Sequence, residues 1–242
     1  MTVSMNQPNN QLSSVQAMAY ALPMISVAFL LGPVMILQGI YAKYFGLSLT
    51  AIGTVILIAR LFDAVTDPLI GYFSDRYQRR TGSRKVFIAS GGMLFIFSSY
   101  FLYTPSENVS ATYFLMWFLA FYLSWTLFEI PHLAWGAELA PHSQARNRIY
   151  SFRLFALFLG QLLFYTVPLL PFFASNEFTP QTLKWSVFAA GLIMLPLLYI
   201  CVSATPNGHQ KPVSFNRQQL RVWSLLPTIL SNKPFLLFAN II

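Results

Sequence analysis

Residues 59–71 read Ala59-Arg60-Leu61-Phe62-Asp63-Ala64-Val65-Thr66-Asp67-Pro68-Leu69-Ile70-Gly71 and lie inside an apolar block running from Leu49 to Phe73. Coiled as a helix, a block of that length crosses roughly 30 Å of hydrocarbon. Three ionisable side chains therefore fall at membrane depth, where each costs about 2.5–3.5 kcal/mol to insert unless it lines a polar cavity. Offsets of three, four and seven set Arg60, Asp63 and Asp67 along one helical face.

The blocks on either side are of the same kind. They run from Met18 to Phe45, Val86 to Tyr103, Ala111 to about Ala137, Phe152 to Phe173 and Leu183 to Ala204. Hydrophobic residues make up 56% of the chain and charged residues 9%, too little polar surface to cover a water-soluble fold. The fold class is all-α transmembrane, with six spanning helices. Arg and Lys cluster between blocks, as Arg76, Arg79, Arg80, Arg84 and Lys85, then Arg146 and Arg148, then Lys211, Arg217, Arg221 and Lys233. Loops at the other ends offer Lys43 and Lys184. This alternation puts the basic loops and the amino terminus in the cytoplasm. The net charge of +8 is thus a topogenic signal rather than a nucleic-acid surface. Residues before Gln16 lack the basic start of a cleavable signal peptide. Cys201 has no partner cysteine, which excludes a disulfide framework.

The chain divides into a cytoplasmic tail (1–17), a six-helix bundle (18–204), a cytoplasmic linker (205–233) and the start of a seventh helix (234–242). In the linker, Leu220, Val222, Trp223, Leu225 and Leu226 alternate with Arg217 and Arg221, the pattern of an amphipathic helix lying on the membrane. The seventh block, from Pro234 to Ile242, is too short to span, so a truncated half-protein is expected.

Two carboxylates one turn apart in a dry setting repel each other unless a cation or a proton sits between them. Asp63 and Asp67 therefore read as a coupling site for Na+ or H+, with no bound cofactor required. Arg60 can instead neutralise the pair within a purely structural charge network. The fourth block adds Thr126 and Glu129, three residues apart on one face, which can complete an oxygen-lined pocket beside Pro131. Arg153 can form bidentate bonds to a solute's oxygens or act as an interfacial charge. Trp135 can stack on a sugar ring or pack between helices. Glu138 is expected to pair with Arg146 or Arg148.

The stretch 59–71, followed by Gly71-Tyr72-Phe73-Ser74-Asp75-Arg76 with Arg79 and Arg80, resembles the glycoside–pentoside–hexuronide:cation symporters of the major facilitator superfamily. The likeness extends with gaps from about Tyr20 to Arg153 and covers the amino-terminal half of such a carrier. It implies cation-coupled transport by alternating access in a bacterial inner membrane. Asp63, Asp67, Thr126 and Thr66 then belong to the cation site, Thr66 standing where an Asn is common. Glu129 and Arg153 fall on the family's substrate contacts, and Trp135 and Arg60 are kept as further candidates for that role. Gly71, Asp75, Arg76, Arg79 and Arg80 become a cytoplasmic latch between the two halves. Two positions depart from the pattern: Pro23 to Leu30 holds no carboxylate, and Leu133 stands where a sugar-stacking Trp is found, with Trp135 two residues on. A sugar or glycoside is the leading solute class, with another small or lipid-like solute as the alternative. The missing six-helix half is an implied partner, and without it the chain is an inactive remnant. A membrane prenyltransferase also uses Asp-x-x-x-Asp, but it needs a second acidic motif that is not present here, so an enzyme is not expected.

Overall fold

The computed structural model describes residues 12–106, 109–140, 142–171, 173 and 176–208. The expected amphipathic helix, the seventh block, most of the amino-terminal tail and Asn108 of a formal Asn108-Val109-Ser110 sequon lie outside the described residues.

Among the described residues, six apolar stretches form helices long enough to cross a membrane, and there is no strand. The first span, Ser14–Phe45, is three consecutive segments: α1 (Ser14–Ala21), α2 (Pro23–Leu31) and α3 (Val34–Phe45). The joints fall at Leu22, before Pro23, and at Gly32-Pro33, because proline brings no N–H to the preceding turn. The remaining spans are α4 (Leu49–Thr81), α5 (Lys85–Tyr103), α6 (Ala111–Leu139), α7 (Ser143–Thr166) and α8 (Pro180–Ala204). A 3-10 turn, Val167–Leu169, follows α7. The fifth block, expected to stay helical to Phe173, leaves the α-helix at Thr166, with Pro168 in the turn that follows.

Several helices outrun their apolar blocks. α4 continues through Asp75, Arg76, Arg79 and Arg80 to Thr81, and α7 begins at Ser143, well before Phe152. Apolar length marks only what lies in hydrocarbon, whereas a helix carries on into the polar interface. The ends have local causes. Gly46, at φ 69°, closes α3 in the left-handed region that favours glycine, and the Ser48 hydroxyl accepts from Ala51 N–H at 3.2 Å to open α4.

Close approach of backbones sets the packing. A Cβ on Gly91 of α5 would lie 2.5 Å from the Phe128 nitrogen of α6, and one on Gly160 of α7 would collide with the Ile25 carbonyl of α2. Tyrosine hydroxyls then tie the first span to its neighbours: Tyr20 donates to His132 O, Tyr41 to Leu102 O and Tyr103 to Leu30 O, each at 2.7 Å. Ser26 on α2 donates to Ala190 O on α8 at 3.0 Å. Interhelical hydrogen bonds in membrane proteins average about 0.6 kcal/mol, so close packing holds the bundle and these bonds fix its register.

α4 lies at the margin of this arrangement. Leu57, Leu61, Val65, Leu69 and Tyr72 are exposed along it, and its contacts are chiefly with α6. The two helices run in the same direction, since Arg60 meets Tyr122, Asp67 meets Thr126, and Gly71 lies beside Ile130.

Candidate functional site

On α6, Tyr122, Thr126 and Glu129 have the same kind of spacing as Arg60, Asp63 and Asp67 on α4, so two polar faces meet along parallel helices. The Thr126 hydroxyl donates to Asp67 Oδ1 at 3.0 Å. Arg60 spans both helices, with Nη1 on Asp63 Oδ2 at 3.2 Å and Nη2 on the Tyr122 hydroxyl at 2.8 Å. Its guanidinium carbon also sits 4.6 Å from the Tyr122 ring centre. Asp63 Oδ1 is hidden from solvent and has no hydrogen-bond partner among the described residues. An anionic oxygen in that position is costly unless a donor or a cation meets it.

Tyr122 was not among the residues singled out by sequence, although its place one turn before Thr126 is the signal that finds it. Thr66 donates to its own helix at Phe62 O, 3.0 Å away, and makes no bond to either aspartate. Among the described residues there is no cluster of three or more His, Cys, Asp or Glu side chains. Any cation here would be met by the two aspartates together with neutral oxygens.

One turn past Thr126, Glu129 forms an ion pair with Arg153 of α7. Both side chains are largely buried, and Glu129 Oε2 and Arg153 Nε have no hydrogen-bond partner among the described residues. Arg153 does not open its helix at the interface, because α7 starts at Ser143 and Arg153 lies well inside it.

Trp135 is placed differently from a solute-stacking ring. It is 1% exposed, packs edge-on against Tyr20, and donates from Nε1 to Pro206 O at 3.1 Å. His132 stacks on Tyr20 at 4.0 Å, and its Nε2 meets Tyr20 O at 3.0 Å, so it too belongs to the joint between α1 and α6.

At the basic end, the centre is Arg84, which is buried at the start of α5. It reaches Asp75 at 2.6 Å, Glu138 at 2.9 Å and the Ser74 hydroxyl at 2.8 Å. Glu138 therefore pairs with Arg84, not with Arg146 or Arg148 as expected from the sequence. Nearness along the chain favoured the latter two, but Glu138 ends α6 beside the start of α5. Among the described residues, Arg76 reaches the Tyr72 hydroxyl at 3.3 Å, and Arg79 and Arg80 form no ion pair.

Six apolar helices with charged groups facing one another between two of them define a multi-pass membrane protein with an internal polar site. Residues 15–242 match the MFS/sugar transport protein family, and the chain belongs to that family. Among its relatives, the uncharacterized symporter YnaJ of Bacillus subtilis is 29% identical over 171 residues, covering 68% of this chain and 37% of YnaJ. YagG of Escherichia coli, provisionally named a glycoside/cation symporter, is 28% identical over 174 residues, covering 70% of this chain and 38% of YagG. The inner membrane symporter YicJ of Escherichia coli is 25% identical over 191 residues, covering 76% and 41% of the two chains. The chain thus spans about two fifths of the length of these relatives, and its six spans suit the amino-terminal half of the family fold.

Proposed function

We propose that the complete protein is a secondary active symporter that carries a sugar or glycoside with Na+ or H+ by alternating access. The observation that carries this reading is the Asp67–Thr126 hydrogen bond beside the buried, unpartnered Oδ1 of Asp63. A cation placed between the two carboxylates would relieve their repulsion and use the orphaned oxygen, drawing α4 and α6 together. In the proton-coupled version, one carboxyl holds the proton and donates it to the other.

Glu129 and Arg153 suit a polyol. The carboxylate accepts solute hydroxyls, the guanidinium donates to solute oxygens, and each retains a free position in its mutual pair. Their place one turn from Thr126 on α6 is a route by which cation binding can set the solute site. Linkage then requires that solute tighten cation binding by the same factor. The second half of the protein closes the opposite wall of the cavity, since transporters of this kind bind solute between two halves. Gly71, Asp75, Arg76, Arg79 and Arg80 form the cytoplasmic latch in this reading, with Arg84 holding Asp75 in place. The amino terminus and the basic loops face the cytoplasm of a bacterial inner membrane.

Trp135 is left out of the solute site because it is buried. Leu133, at the position the resemblance gives to a stacking Trp, is an exposed aliphatic side chain. That favours, as a second reading, the same symport with a small solute that needs no aromatic platform.

The test is uptake of a panel of labelled glycosides, sugars and other small solutes by the complete protein in vesicles, under a sodium gradient and separately under a proton gradient. Asp63→Cys and Asp67→Cys should abolish gradient-driven accumulation while leaving solute exchange. Accumulation that survives both changes would overturn the coupling assignment.

A further inference from the structure

Tyr122 enters the site from α6 and hydrogen-bonds Arg60 rather than either aspartate. Its hydroxyl accepts from Arg60 Nη2 at 2.8 Å, and the guanidinium carbon lies 4.6 Å from its ring centre. The residue is 5% exposed and packs against Phe118, Phe121 and Trp125, with ring centres 4.9, 5.6 and 6.1 Å away. Packing therefore fixes where the hydroxyl stands. Arg60 is the opposite case. With 55% of its side chain exposed, its partners decide where the guanidinium points.

A guanidinium facing a carboxylate frequently closes on both oxygens, one donor to each. Here the fork is split. Nη1 meets Asp63 Oδ2 at 3.2 Å, long for a charge-assisted bond, while Nη2 turns to Tyr122. Asp63 Oδ1, the oxygen a closed fork would satisfy, is buried with no hydrogen-bond partner among the described residues. Glu129, the carboxylate that α6 contributes, is engaged by Arg153, and Asp67 Oδ1 by Thr126. Asp63 is therefore the anion on which the fork would close.

We propose that Tyr122 is a positioning residue: by holding one arm of Arg60, it stops the guanidinium closing on Asp63 and keeps Oδ1 open for the coupling cation. The inference rests on the reading of Asp63 and Asp67 as the cation site. Without the Tyr122 hydroxyl, Nη2 loses its acceptor while Oδ1 still lacks a donor, and closure of the fork answers both. A closed Arg60–Asp63 pair is an internal counter-ion with which the cation must compete. The hydroxyl acts only as an acceptor for Arg60, so its effect exists only while Arg60 has two arms to divide.

The experiment reads cation-induced thermal shifts of the complete protein in detergent for wild type, Tyr122→Phe, Arg60→Gln and the double variant. Na+ is titrated against choline at fixed pH and ionic strength, and protons are titrated by pH without Na+. The part of each response that Asp63→Asn removes belongs to the site. Tyr122→Phe, which keeps the ring, should need about tenfold more cation for half the shift, the scale of one hydrogen bond to a charged group. The double variant should titrate with Arg60→Gln alone, because no fork is left to close. An unchanged midpoint in Tyr122→Phe overturns the proposal. Equal weakening in both Arg60 backgrounds also overturns it, since the hydroxyl would then be a direct cation ligand or a support for α6. A wild type that answers neither Na+ nor protons through Asp63 removes the cation site itself, and this inference with it. A wild type that answers while Tyr122→Phe matches it removes this inference alone.

Discussion

Thr126 on α6 donates its hydroxyl to Asp67 Oδ1 on α4 across 3.0 Å, joining two spans that are far apart in sequence. A hydrogen bond to a charged acceptor contributes about 1.5–3 kcal/mol. In the proposed site it fixes one carboxylate oxygen, leaving the other free for a cation. Thr126→Val, which keeps the shape and removes the donor, should weaken the apparent affinity for the coupling cation by about tenfold or more. Thr126→Ser should stay within a few-fold of wild type. The measurement is the cation concentration that half-activates solute uptake by the complete protein. An unchanged value in Thr126→Val removes Thr126 from the site.

Arg60 competes electrostatically with any cation near Asp63, which it meets at 3.2 Å, and its side chain is 55% exposed. Arg60→Gln should therefore strengthen cation binding at Asp63 and Asp67, because a repelling charge is lost while Tyr122 can still hydrogen-bond the Gln amide. The expected outcome is half-activation at a lower cation concentration, with slower release and a reduced maximal rate of uptake. If half-activation instead requires more cation, Arg60 positions Asp63, and its charge is part of the binding geometry.

Most of the fold was legible because apolar length and charge placement report directly on the bilayer. The joints at Leu22 and Gly32-Pro33 were announced by Pro23 and Pro33, yet an unbroken apolar run hid them. Of the site, the spacing of Arg60, Asp63 and Asp67 on α4 and of Thr126 and Glu129 on α6 could be read as helical faces. What could not be read was how those faces meet, because the rotation of α6 against α4 is set by tertiary packing that the spacing along one helix does not encode. Arg84 shows the same limit. As sequence it is one basic loop residue among several, and only folding brings Ser74, Asp75 and Glu138 around it.

Arg84→Gln should loosen the basic end of the bundle. It leaves Glu138 and Asp75 without their shared cation, and loss of one partner of a buried pair costs about 3–5 kcal/mol. Asp75 is half exposed, so the cost falls mainly on Glu138, and about 2–3 kcal/mol is the expected net effect. Arg84→Lys should recover little, since one ammonium cannot reach both carboxylates and the Ser74 hydroxyl with the geometry of a planar guanidinium. Amide exchange in detergent or nanodiscs is the readout. Faster exchange should be confined to residues around 74–85 and 135–139, and exchange that rises evenly through the bundle would argue for general destabilisation.

Gly160 and Gly39 make a matched pair of helical glycines with opposite expectations. A methyl group at Gly160 would collide with the Ile25 carbonyl of α2, whereas nothing lies within 4 Å of one at Gly39. Gly160→Ala should destabilise by about 1–3 kcal/mol, the usual cost of overpacking, and Gly39→Ala should be neutral or stabilising by up to about 1 kcal/mol. Thermal unfolding in detergent, followed through tryptophan fluorescence, separates the two. Equal melting temperatures would mean that α2 and α7 do not approach as closely as Gly160 allows.

Glu129 and Arg153 can be a structural ion pair, a solute site or both, and single changes cannot distinguish these. Either Glu129→Gln or Arg153→Met leaves its partner buried without a counter-charge, at a cost of about 3 kcal/mol. Both single variants should therefore melt early whatever the pair does. The double variant Glu129→Gln/Arg153→Met removes both charges together, so neither is left buried without its counter-charge. It should regain most of the lost melting temperature. If the pair binds solute, the same double variant should still show no solute uptake and no solute-induced thermal shift. Its coupling cation should still produce a thermal shift, because Asp63, Asp67 and Thr126 remain intact. Recovery of stability with recovery of uptake would make the pair a strut between α6 and α7, and the solute site would have to be sought elsewhere in the cavity.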